Sequence, residues 1–153
     1  MADGATAGVD AGHLLPVRVY WEDTDGSGIV YHAGYLRFAE RARTEFLRAL
    51  GFDQSTLLNE TGIAFAVRRM EIDFLSPARL DDLLEVATSV TDIGGASLSM
   101  RQRVERDGRA LADMNVKLAC MDRRGRPVRL PAAFRAGFAG TMSNQRAVGP
   151  RAR

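Results

Sequence analysis

Glu22-Asp23-Thr24-Asp25-Gly26-Ser27-Gly28-Ile29-Val30-Tyr31-His32-Ala33-Gly34-Tyr35 joins two segments of different hydrophobic period, and its reading decides the fold. Upstream, Val17-Arg18-Val19-Tyr20-Trp21-Glu22 alternates and is β-branched and aromatic, which predicts a strand. Downstream, Tyr35, Phe38, Ala39, Ala42, Phe46 and Ala49 recur at helical spacing, with Gly51 as the expected stop. Between Ile29 and Gly34 there is no Ser, Thr, Asp or Asn to cap the helix. Its first N–H groups are therefore left for water or for a ligand oxygen.

The rest of the chain reads as β. Ile63, Phe65 and Val67 share one face and Met70, Ile72 and Phe74 the next, out of phase by one residue, so a bulge is expected near Arg68-Arg69. Ser76-Pro77-Ala78 ends that strand. Gly94-Gly95 and Asp107-Gly108 are hairpin signals between three further alternating runs, the last from Ala110 to Met121. Asp53 to Gly62 reads as a polar connection and Pro131 to Phe138 as a short terminal helix. The expected plan is α+β: one long helix packed on one face of an antiparallel sheet. One helix covers both faces of such a sheet poorly, so a homo-oligomer is expected. The boundaries are residues 1–14 as a flexible N-terminus, 15–140 as the single domain and 141–153 as a basic flexible tail.

A chain of 153 residues is large enough for one ordinary core. The single cysteine, Cys120, excludes an internal disulfide and lies on an apolar alternating face, so it reads as a buried thiol. No apolar run approaches the ~20 residues of a membrane span, and the first dozen residues are small and acidic; a cytoplasmic location is expected. From Asp122 onward there are eight Arg and one Asp, so the basic charge is a C-terminal property, suited to anionic ligands. Phe134 and Phe138 are too sparse an aromatic complement to suggest nucleic acid.

Four chemistries could use the loop's residues. A calcium loop fails because the position needing a bidentate Glu holds Gly34 and a strand precedes it. A transition-metal site has only His13 and His32 to draw on, and His13 falls in the expected flexible segment. Ser27 lacks the setting of a serine nucleophile. A carboxylate beside a helix start remains: it can act as base or nucleophile on an activated acyl group while free amides hold the developing oxyanion.

Asp25 to Leu36, continuing through Phe38-Ala39-Glu40-Arg41-Ala42-Arg43, resembles the signature of hotdog-fold acyl-CoA thioesterases of the 4-hydroxybenzoyl-CoA thioesterase family. Glu22 to Asp25 and Val30-Tyr31-His32 are most similar to the branch associated with the Tol–Pal cell-envelope system. The resemblance implies a central helix wrapped by a curved sheet, edge-paired dimers or homotetramers, sites at subunit interfaces and an acyl-CoA substrate; the residues themselves lead to an expectation of no cofactor and no metal. It implies Asp25 as the catalytic carboxylate and His32 as the residue whose amide polarises the carbonyl. Gly28, Val30 and Tyr31 become substrate-binding residues. That branch more often has an Ala-Gly-Gly-like run where this chain has Gly26-Ser27-Gly28. A non-catalytic acyl-binding protein, docking acyl carrier protein through its basic end, and a hotdog hydratase or dehydratase are the competing readings. Simpler roles also stand beside the catalytic ones: Asp23 bonding loop amides, Tyr35 in the core, His32 packed at the helix start, and Glu40 with its neighbouring arginines in an ion network supported by Arg41–Glu45. Arg68, Arg69, Arg123, Arg124 and Arg126 are candidates for CoA phosphates, with surface ion pairing as the alternative.

Overall fold

A computed structural model describes residues 12–147. Five strands form one antiparallel sheet: β1 (His13–Arg18), β2 (Ala64–Phe74), β3 (Leu83–Ile93), β4 (Ser97–Arg106) and β5 (Arg109–Met121). Their order is β1-β3-β4-β5-β2, and three helices accompany them: α1 (Gly34–Ala49), α2 (Gln54–Thr61) and α3 (Ala132–Ala147). The α+β expectation with a long helix on the sheet holds. The bulge in β2 falls between Val67 and Arg69, and both glycine turns join hairpins.

The core lies between α1 and the sheet. Phe38, Ala39, Ala42 and Phe46 from α1 meet Leu84, Val86, Leu98, Met100, Val104, Met114 and Val116, all buried. Cys120 is fully buried on the face expected for it, and burial pushes its thiol above the usual range. Phe138 of α3 closes one end against Phe46, Phe65 and Phe134.

Four sequence expectations are corrected. First, the initial strand spans His13–Arg18, and Trp21–Asp23 form a 3-10 turn instead of continuing it. The Asp23 carboxylate accepts the Tyr20 N–H at 2.8 Å, taking a donor that a strand would spend on its neighbour. His13 therefore belongs to a strand, its ring 6.0 Å from that of Phe46. Second, the polar connection contains α2, whose N-terminus is capped by Asp53 accepting from Ser55 N at 2.8 Å and whose stop is Gly62 in the left-handed region. None of its residues is buried, so it carries little apolar period. Third, α3 continues past Phe138 to Ala147, through part of the expected tail; residues 1–11 and 148–153 lie outside the described residues. Fourth, Arg43 is buried, and Glu45 pairs with Arg48 at 3.7 Å instead of with Arg41.

β2 and β3 are consecutive in the chain but not adjacent in the sheet, so residues 75–82 cross from one edge region to the other. That crossing positions the loop before α1. Ala78 N donates to the Tyr35 hydroxyl at 2.9 Å, Val30 N donates to Ala78 O at 2.9 Å, and Leu80 N donates to Gly28 O at 2.9 Å. Among the described residues, no helix is long and apolar enough to cross a membrane.

Candidate active site at the start of the central helix

The junction folds as a narrow loop. Thr24 and Val30 form an antiparallel bridge, and Asp25 N donates to Ile29 O at 3.0 Å. Gly28 sits at φ +89, where a side chain is strained whatever the space around it, which explains the glycine after Ser27. Asp23 is buried and works as a structural carboxylate, holding Tyr20 N and lying 3.9 Å from Arg37.

Asp25 is exposed. Its Oδ1 accepts the Ser27 hydroxyl at 2.5 Å and the Ser27 amide at 2.8 Å. These two donors, the hydroxyl first, hold its carboxyl below the ordinary aspartate value, so it is ionised at neutral pH.

Helix α1 begins without a side-chain cap at Ala33, as expected. Gly34 N is taken by Tyr31 O at 2.7 Å, and Tyr31 N by Asp23 O at 2.9 Å. Among the described residues, the N–H groups of His32 and Ala33 have no protein acceptor. The His32 ring lies 4.4 Å from that of Tyr31 and 6.4 Å edge-on from Phe74. Tyr31 and Phe74 are both about half exposed, so the helix start is flanked by an open aromatic shelf. Phe74 was not anticipated as part of this shelf; its place at the last position of β2 was its only sequence signal.

Not every expected site residue is at the surface. The Val30 side chain is 4% exposed and belongs to the core, so it supports the loop from behind and does not line the shelf. Tyr35 is core, as its period suggested. Of the candidate phosphate ligands, Arg123 donates to Leu58 O and Asn59 O, Arg126 pairs with Asp122, and Arg69 with Glu71. Arg68 and Arg124 make no ion pair among the described residues. Nor do three His, Cys, Asp or Glu side chains converge there as a metal-binding group.

A second polar feature lies farther along α1. Arg43 donates to Gln102 Oε1 at 2.9 Å, and Gln102 Nε2 donates to Ala39 O at 2.9 Å and Thr88 Oγ1 at 3.0 Å. Burial pulls the guanidinium below its ordinary value, and Glu40 opposes that pull. Two sequence signals could have revealed it: Arg43 lies four residues from Ala39 and from Leu47, and Gln102 interrupts the apolar alternation Leu98, Met100, Val104.

Residues 19–138 match the model of the thioesterase-like superfamily. The acyl-CoA thioesterase YbgC of Haemophilus influenzae is 49% identical over 131 residues, covering 85% of this chain and 96% of that protein. The crystal structure of a probable thioesterase from Bartonella henselae superposes with a TM-score of 0.74 at 42% identity, covering 78% of this chain and 98% of that one. A Thermus thermophilus thioesterase, crystallised with coenzyme A and Zn, superposes at 0.76 with 30% identity, covering 88% and 96%.

Proposed function

The chain belongs to the thioesterase-like superfamily, and from that premise we propose that it is an acyl-CoA thioester hydrolase working through Asp25 at the open start of α1. It cleaves R–CO–S–CoA to a carboxylic acid and free CoA. The observation that carries the reading is the pairing of an ionised, exposed carboxylate with a helix start whose His32 and Ala33 amides have no protein acceptor.

The division of labour follows from charge. Attack on the thioester carbon places negative charge on the acyl oxygen, and the unclaimed amides, at the positive end of the α1 dipole, stabilise it. Asp25 supplies the electron pair either directly, forming an acyl-aspartyl anhydride that water then opens, or by removing a proton from the attacking water. Its depressed pKa makes it a weak base while solvent-exposed. Covering by substrate and by a second copy of the chain removes water from it and strengthens it. Tyr31, His32 and Phe74 form the wall against which the acyl group lies, and Gly28 keeps the loop in its positive-φ shape. We assign pairing of two copies along β2, whose outer edge has no strand partner among the described residues.

The test is thiol release from an acyl-CoA panel by the parent and Asp25→Asn. Loss of one proton-transfer group costs about 10²–10⁴-fold; equal rates would remove Asp25 from the chemistry. A single turnover in heavy-oxygen water then separates the two routes. Label entering Asp25 marks the anhydride, and label confined to the product acid marks direct attack by water.

A further inference from the structure

Arg43 is 8% exposed, yet among the described residues it forms no ion pair within 4.0 Å, and its one hydrogen bond goes to the neutral Gln102. A guanidinium carries five N–H donors, and burying it unpaired is costly. Glu40, one turn earlier, is exposed and acts on it only through its field. The Arg43 side chain borders a cavity of about 250 Å³ lined by the polar Glu40, Thr44 and Gln54 as well as by the apolar Phe65, Met100 and Phe138. A chamber of mixed lining with a buried, underused cation at its wall is a poor home for a plain hydrocarbon end. It suits a chain that ends in an anion.

Of the residues that line the chamber, Glu40, Arg43 and Leu47 follow Leu36 at i+4, i+7 and i+11 along one side of α1, and Leu36 is exposed. Gln102 ties the guanidinium to the level of Ala39, five residues past Gly34, which is about 8 Å along the axis.

We propose that Arg43 is a specificity-determining residue that binds a carboxylate at the far end of the acyl group, so that this chain takes ω-carboxyacyl-CoA thioesters. The inference rests on the thioesterase reading of Asp25. The planar fork of Arg43 faces the distal carboxylate, Gln102, itself held by Thr88, keeps the fork in place, and the apolar residues of the lining pack against the methylenes.

Octanoyl-CoA and suberyl-CoA, which share a chain length and differ in the terminal carboxylate, provide the test. The parent is expected to favour suberyl-CoA in kcat/KM by at least about tenfold, mostly through KM, as one charge-assisted contact implies. Arg43→Met is expected to bring the ratio to about one or below. Gln102→Glu, which supplies an internal carboxylate to the same guanidinium, is expected to reduce it likewise and covers the case in which Arg43→Met does not fold. A parent ratio near one, or an unchanged ratio in either folded variant, overturns the proposal. If the parent releases no thiol from either substrate, the thioesterase reading fails by itself. Calorimetric titration with the non-hydrolysable thioether of suberyl-CoA then decides this one: Arg43-dependent binding upholds it, and equal binding by parent and variant overturns it.

Discussion

Tyr35→Phe removes a single oxygen, and its cost follows from one contact. The Tyr35 hydroxyl accepts the Ala78 amide at 2.9 Å, with Tyr35 3% exposed and Ala78 fully buried. The donor is backbone, so no side-chain change removes the need it leaves behind. An orphaned buried N–H costs about 1–3 kcal/mol. For a domain of this size that is a fall in Tm of about 3–9 °C. The loss is directional as well, because Ala78 O holds Val30 N and so ties the crossing segment to the loop carrying Asp25. Urea unfolding followed by far-UV circular dichroism measures it, with an unchanged m-value marking a true stability change. Tyr31→Phe is the control: with that ring about half exposed, its effect is expected within about 0.5 kcal/mol. If Tyr35→Phe costs no more than the control, the Ala78 contact does not organise this region and the reasoning fails.

Phe138→Ala empties the end of the core where four phenylalanine rings meet, and urea unfolding should show a loss of about 3–5 kcal/mol. Ser27→Ala deletes the largest of the causes that depress the Asp25 pKa, so carboxyl NMR titration should show Asp25 moving up toward its ordinary value; no upward movement would refute the assignment. Any stability Asp25 contributes is present above its unfolded pKa and lost as pH falls through its folded one. Glu105 is the opposite case: burial raises its pKa, so the folded chain holds that proton to higher pH than the unfolded one, and stability falls as pH rises above the ordinary value of 4.5. Glu105→Gln should be at least as stable as the parent at pH 7 and lose that advantage toward pH 4; a less stable variant at pH 7 would show that the Arg103 pair outweighs burial.

The elements legible in the sequence were those whose burial leaves a period. The stripe from Tyr35 to Phe46 gave α1, the phase change at Arg68-Arg69 gave the β2 bulge, and the paired glycine turns gave the hairpins. Where local polar bonding shapes the backbone instead, the pattern misled. Asp23 bends Tyr20 to Glu22 out of the first strand, and Asp53 starts a helix that buries nothing. At the site, the missing cap and the Asp25 loop could be read directly. Phe74 could not, because its placement depends on how a strand end meets the helix start across residues distant in sequence, and the burial of Arg43 was signalled only by its i±4 spacing to Ala39 and Leu47 and by Gln102 in an apolar run.

Cys120 gives the molecule an internal reporter. It lies opposite Phe65 of the outer strand, with its amide on Ala96 O and its carbonyl taken by Val128. Its thiol is fully buried and protonated at neutral pH, so a thiol reagent reaches it only when β2, β5 and the segment after them part. The labelling rate is therefore a direct measure of opening on that side of the sheet, against which loosening confined to the Asp25 loop stays silent.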